Sequence, residues 1–418
     1  MKRLLFIPLL LTALGVSAQD DGQLVVDAQL RTRGEYRHGA LYPLYEDESA
    51  AKFINQRTRL SAQYESGGMT FRAAAQHTGV WGQDPQIDKQ GRLTLNEAWA
   101  RLRFLDDFFV QVGRQQLVYD DERLLGASDW DVAGRWHDAL KVGYEHGAHK
   151  GHVILALNQN DEQFRQIYYD ASKGQPYKSM QTFWYHFDAT ELLPFPAEVS
   201  LMLINLGLES GDAQRNKSDV KYMQTFGAYG QLCPLDGLVL TGSLYLQRGN
   251  RNSTRMGSAQ AAYDVTPDWK VTAGYEYLSG DNNNDGINHA FNPLYGTHHK
   301  FYGTMDLFYA SSLRPLAKPV GLQDFHLAVQ TGMVPRMSIQ ADYHYFATGT
   351  HIDGSFLSLG HEVDAQVSFD VMKNVSLSAG YSFLLGTRTL DVVKGGNHKR
   401  WQDWAWLQLN INPRIFKK

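Results

Sequence analysis

The stretch Leu95-Asn96-Glu97-Ala98-Trp99-Ala100-Arg101-Leu102-Arg103-Phe104 decides the fold. Side chains alternate sides along an extended chain, so Ala98, Ala100, Leu102 and Phe104 share one face while Glu97, Trp99, Arg101 and Arg103 share the other. One face suits lipid and the other suits water. About ten residues of such alternation, repeated along a chain, are the signature of a membrane-spanning β-strand.

The pattern recurs on both sides of this stretch. Upstream, Val26, Ala28 and Leu30 oppose Asp27, Gln29, Arg31, Arg33 and Glu35, and Ile54, Leu60, Ala62 and Tyr64 oppose Asn55, Arg57, Arg59, Ser61 and Gln63. Downstream, Leu238, Leu240, Leu244 and Leu246 oppose Thr241, Ser243 and Gln247. Ile339, Ala341, Tyr343 and Tyr345 likewise oppose Gln340, Asp342 and His344, and Val363, Ala365, Val367 and Phe369 oppose Glu362, Asp364, Gln366 and Ser368. A soluble β-sandwich also alternates, with a shared core behind its apolar face. Aromatic residues near strand ends, such as Tyr343, Tyr345 and Tyr381, read instead as interfacial girdles in a membrane.

Composition agrees. Of 418 residues 43% are hydrophobic and 12% aromatic, too apolar for a disordered chain. The net charge of −4 argues against a whole-chain nucleic-acid binder, so no nucleic-acid partner is expected. A lone Cys233 makes neither an intramolecular disulfide nor a thiolate metal site. The first 18 residues read as a signal peptide: Lys2 and Arg3, an apolar run from Leu4 to Val16, then Val16-Ser17-Ala18 as the cleavage signal. That run is too short for the roughly 20 residues of a spanning helix. Cleavage near Ala18 leaves 19–418 as one barrel in the bacterial outer membrane, among lipid and lipopolysaccharide, with a charge of −6 once Lys2 and Arg3 are gone.

Turn lengths orient the strands. Short links at Ser66-Gly67-Gly68, Asp106-Asp107, Thr266-Pro267-Asp268 and Met372-Lys373-Asn374 alternate with long polar ones, as periplasmic turns alternate with outer loops. Nineteen candidate strands can be marked, but a bacterial barrel takes an even number. Val334-Pro335-Arg336 and Met372-Lys373-Asn374 are both short, so parity is restored if 280–320 is one outer loop with Phe301 to Tyr309 folded inside it or over the rim. The expectation is an all-β, antiparallel up-and-down transmembrane barrel of 18 strands, with that loop able to act as a lid.

Four runs carry a resemblance: Glu97-Ala98-Trp99-Ala100-Arg101-Leu102, Val112-Gly113-Arg114-Gln115, Asp121-Glu122-Arg123-Leu124-Leu125-Gly126 and Gly134-Arg135-Trp136-His137-Asp138-Ala139. With Leu359-Gly360-His361-Glu362-Val363-Asp364 and Ala379-Gly380-Tyr381-Ser382 further on, the chain resembles the alginate-export family of bacterial outer-membrane barrels. The resemblance implies an eighteen-stranded barrel passing a polyuronate through an arginine-rich lumen, and periplasmic partners that deliver it. The turn at 372–374 departs from the long plug-like periplasmic turn of the alginate exporter itself.

The chemistry of polyanion passage can be read from the residues alone. A carboxylated polymer in a narrow lumen loses hydration, so the wall must supply positive potential. Arg31, Arg33, Arg57, Arg59, Arg101 and Arg103 lie on the inward faces assigned above, and guanidinium groups pair bidentately with carboxylates. Arg114 and Arg135 join this lumen set, with Glu35, Glu97, Asp138 and Glu145 spacing the arginines and weakening any single grip. Asp120-Asp121-Glu122 are expected to pair with Arg114, Arg123 or Arg135. Asp281, Asn283 and Asp285 fit the first half of a calcium loop, but its twelfth position is Asn292 rather than Glu, so Ca2+ is an option and no cofactor is required. No nucleophile elbow, phosphate loop or supported Ser/His pair is present, so an enzyme is not expected. The rival to polysaccharide passage is a general or anion-selective porin for small solutes.

Overall fold

The computed structural model describes residues 22–84, 92–282, 285–308, 319–352 and 357–418. The expected signal peptide, Asn283 and Tyr309 lie outside them. Eighteen strands form the wall. They are β1 (Gln23–His38), β2 (Ala51–Ser66), β3 (Met69–Val80), β4 (Leu93–Phe104), β5 (Phe108–Gln115) and β6 (His137–His146). Next come β7 (His149–Leu157), β8 (Ser179–Asp188), β9 (Ala197–Glu209), β10 (Val220–Leu235), β11 (Leu238–Gly249) and β12 (Asn252–Thr266). The last six are β13 (Trp269–Leu278), β14 (Leu322–Thr331), β15 (Met337–Ala347), β16 (Ser358–Met372), β17 (Val375–Gly386) and β18 (Gln402–Ile411).

Each strand pairs antiparallel with the next, and β18 pairs with β1 from Leu30↔Ile411 to His38↔Asp403, closing the barrel. Closure satisfies every ladder group internally, the condition for crossing a bilayer with strands. Pro413 cannot donate to the ladder. The chain therefore breaks there and resumes pairing with β1 over Arg414–Lys417, with a register shift between Val26 and Asp27.

The faces alternate as the sequence requires. Leu60, Leu102, Leu203, Leu244 and Leu327 are exposed on the outer wall, whereas Arg57, Gln76, Gln111 and Glu362 are buried within the lumen. One irregularity matters: Ala74 pairs with Glu97 but Ala75 with Leu95, so Asn96 is the extra residue of a bulge and both Asn96 and Glu97 are buried. Short turns such as Gly67-Gly68, Pro267-Asp268 and Lys373-Asn374 gather at one end of the barrel, and the long loops at the other.

Between β13 and β14 the described residues 279–282, 285–308 and 319–321 contain no strand, Phe301–Phe308 among them. Residues 285–308 and the 116–136 loop turn into the lumen and pack on each other. Leu117, Leu124 and Leu125 are buried with Phe291, Leu294, Tyr295, Met305 and Phe308. Main-chain bonds join the two loops, from Tyr295 N to Leu124 O at 3.0 Å, Gly126 N to Tyr295 O at 3.0 Å and Thr297 N to Glu122 O at 2.9 Å. Each large apolar side chain withdrawn from water here contributes about 1.5–3 kcal/mol, so the lumen filling holds itself together.

Candidate functional site

Period two on β1 and β2 places Arg31, Arg33, Arg57 and Arg59 on one inner patch, where Arg31 and Arg57 are cross-strand partners. Side chains of one sign so close need a counter-charge, and the 116–136 loop brings it. Asp129 lies 2.8 Å from Arg57 Nη2, 3.3 Å from Arg31 Nη1 and 4.0 Å from Arg59 Nη1. Arg31 Nη2 donates to the Asp131 carbonyl at 2.9 Å. Arg33 donates to the Trp130 carbonyl at 3.1 Å and lies 3.8 Å over the Trp130 ring. Arg59 is held by Gln76 Oε1 at 2.7 and 2.9 Å, and Arg33 and Arg37 grip the two oxygens of Glu35 at 2.9 and 2.7 Å.

The arginines nevertheless exceed the carboxylates. Nη1 of Arg57 is buried with no hydrogen-bond partner among the described residues. Asp129 itself keeps 56% of its side chain exposed, toward a cavity of about 570 Å3 lined by Arg57, Arg59, Arg72, Lys373 and Arg414. Lys373 belongs to a short turn, so this basic vestibule opens at the short-turn end.

A second cationic group surrounds Phe109. Arg101, Arg103 and Lys141 lie 4.4, 5.8 and 6.0 Å from its ring centre. Gly143 makes room for that ring, because a Cβ there would stand 2.1 Å from it. Arg101 Nε donates to Gln111 at 2.8 Å, and Arg103 reaches Glu145 at 3.5 Å.

Of the other expected lumen residues, Glu97 receives Arg72 Nε and Trp99 Nε1, both at 2.9 Å. Arg135 lies in the inserted loop and donates to the Gly296 carbonyl. Arg114 and Asp138 are a correction. They pair bidentately at 2.8 and 2.9 Å in direct register, but on the face of Val112 and Val142, whose exposures are 54% and 36%. This pair is on the outer wall, near the long-loop end. Asp121 pairs with Arg123 at 2.9 Å as expected, Glu122 instead takes the Thr297 hydroxyl at 2.7 Å, and Asp120 accepts Trp184 Nε1 at 2.9 Å. Asp285 of the calcium-like run is engaged by the Ile287 N–H at 2.8 Å and His289 at 3.1 Å.

Sequence reading missed Arg72, Lys141 and Asp129. The first two carry a signal, since Arg72 is in phase with Gln76 on β3 and Lys141 with His137 on β6. Asp129 has none, for a loop has no period to follow.

Solved structures with the same fold include OccK9 (OpdG) of Pseudomonas aeruginosa, with 14% identity, TM-score 0.61, and coverage of 94% of this chain and 98% of that one. OccAB4 of Acinetobacter baumannii is 11% identical with TM-score 0.62 and coverage of 95% and 99%. OccK2 (OpdF) of P. aeruginosa, solved in complex with glucuronate, is 12% identical with TM-score 0.59 and coverage of 94% and 98%. At these identities they share the barrel fold with this chain. No curated protein matches the sequence. A family model described as alginate export matches residues 23–355. With most of its length so matched, the chain belongs to the alginate export family.

Proposed function

We propose that this outer-membrane channel passes an anionic, carboxylated polysaccharide of the polyuronate class along the arginine arc of its lumen. The observation that carries the reading is the patch of Arg31, Arg33, Arg57, Arg59 and Arg72, met from the loops by the partly exposed Asp129. Asp129 occupies the seat that a uronate carboxylate would take, so each sugar that displaces it exchanges one carboxylate for another at small net cost. Arg101 and Arg103 on their Phe109 platform offer a further cationic station on the same arc. Glu35 and Glu97 hold neighbouring guanidiniums apart, which limits the grip at any one station and favours onward movement.

A smaller carboxylated solute is the second reading. It is favoured by the two loops that fill the lumen and by the glucuronate complex of the structurally similar OccK2. Planar-bilayer recordings with uronate oligomers of increasing length separate the two. Polymer passage predicts that oligomers block the current more strongly than monomeric glucuronate, and that Arg57→Ala with Arg59→Ala weakens the block about tenfold, near 1.4 kcal/mol. Free permeation by the monomer with no response to oligomers would assign the channel to small solutes.

A further inference from the structure

Asp324, His326 and His344 come together on the inner wall away from the arginine patch, and the geometry points to a site there for a divalent transition-metal ion of the zinc class. One potential ligand atom from each residue lies within 4.8 Å of the others. The strands impose the arrangement. Asp324 and His326 are two apart on β14, hence on one face, and His344 of β15 is the direct cross-strand partner of His326. The two imidazole centres are 5.6 Å apart, and His344 Nδ1 is 2.9 Å from Asp324 Oδ1.

Three further observations favour a cation. Nδ1 of His326 is buried with no hydrogen-bond partner among the described residues, while Nε2 of the same ring is 3.3 Å from Gln260 Oε1. A ring held by an outer partner on one nitrogen and bare on the other is the usual state of a metal-ligating histidine before the ion arrives. The wall also leaves space for the ring, since a Cβ at Gly274 would stand 2.3 Å from His326 Nε2. Finally, acids crowd this arc: Asp342, Glu362 and Asp364 face the lumen beside the three residues, Glu362 is fully buried, and His344 Nε2 is 3.8 Å from Asp364. A divalent ion would offset that accumulation of negative charge.

Two imidazoles and one carboxylate form a borderline donor set that suits Zn2+, Co2+, Ni2+ or Cu2+ better than Ca2+ or Mg2+, whose sites are built from oxygen. Three protein ligands leave a position for water. The ion would tie β14 to β15 next to Asp364 and Glu362, which hold the inserted loop through the Thr304 hydroxyl and the Met305 N–H. The site does not depend on which solute the channel passes.

The test uses the full barrel in detergent, stripped with a chelator and titrated with Co2+. A bound ion is expected to give the visible d–d absorption of a low-coordinate N/O site, saturating at one ion per chain and abolished by added Zn2+. H326A and H344A should each weaken Co2+ binding by about tenfold or more, as should G274A by displacing the His326 ring, while H186A at a distant lumen histidine should leave it unchanged. Should the variants fail to assemble, the unmodified protein still decides. Zn2+ is expected to protect His326 and His344 from diethyl pyrocarbonate, mapped by mass spectrometry. Absence of both the absorption and the protection would overturn the site, as would Co2+ binding that H326A and H344A do not alter.

Discussion

Arg123 and Glu276 form a buried bidentate ion pair, at 2.7 and 3.1 Å, between residues 153 apart in the chain. Glu276 belongs to the wall and Arg123 to one inserted loop, while Phe301 of the other loop lies 3.9 Å from the same guanidinium. One side chain thus fastens both loops to β13. Replacing Arg123 with Met strands a buried carboxylate, a loss of about 3–5 kcal/mol where no rearrangement relieves it. R123M is expected to open protease sites within 116–136 and 285–308 and to raise leak current, with the barrel itself keeping its heat-modifiable migration. R123M with E276M should recover part of the loop order. Unchanged cleavage and leak in R123M would show that apolar packing alone seats the loops.

Asp129→Asn removes the carboxylate that Arg31 and Arg57 share. The freed guanidiniums should bind external anions more tightly by about 1 kcal/mol, roughly fivefold. Reversal potentials in a salt gradient should shift toward greater anion selectivity. A shift toward cations would mean that the arginines do not face the conducting path.

Burial holds the Asp120 carboxyl above the usual carboxylate range, against the smaller opposing effect of the Trp184 Nε1 donor. A carboxyl raised in the docked loop stabilises docking fully below its free pKa of about 3.9 and loses that contribution as pH rises through the docked value. Acidification from neutral should therefore quieten loop-dependent current noise. Asp120→Asn, neutral throughout and still able to accept from Trp184, should be quiet at neutral pH and lose this part of the pH dependence. Equal noise profiles for the two proteins would exclude Asp120 as the titrating group.

Leu244 stands exposed midway along β11, on the face that meets lipid. Leu244→Arg should cost about 2–4 kcal/mol in urea unfolding from lipid vesicles. Ser243→Arg, one residue along and inside the lumen, should act on conductance instead. Equal destabilisation by the two would place β11 in the wrong phase.

The wall was legible because lipid enforces the period. The alternation at Val26 to Glu35 and Ile54 to Tyr64 gave the inward face of Arg31, Arg33, Arg57 and Arg59, and parity alone turned Phe301–Phe308 into loop. Arg114 and Asp138 misled because charge marks the lumen only at the depth of the hydrocarbon. Near the long-loop end the outer wall is polar too, and carrying the phase from Val110 and Val112 would have placed them correctly. Asp129 and the Arg123–Glu276 pair were out of reach for another reason. Their partners are set by how aperiodic loops fold back, which depends on the shape of the finished interior.

The seam between β1 and β18 differs in kind from the other strand contacts. Gln29 and Asn410 bond across it over a separation of 381 residues, and Arg414–Lys417 extends the same seam, whereas the other neighbouring pairs among the eighteen wall strands are consecutive in the chain. Bringing such ends together costs about 3 kcal/mol more in chain entropy than closing a turn of about ten residues. Hairpins can therefore zip early and in any order, but the ring can shut only after the last strand has been made and delivered. Until then β1 and β18 each present a bare edge, and biogenesis becomes a matter of guarding those two edges until they meet.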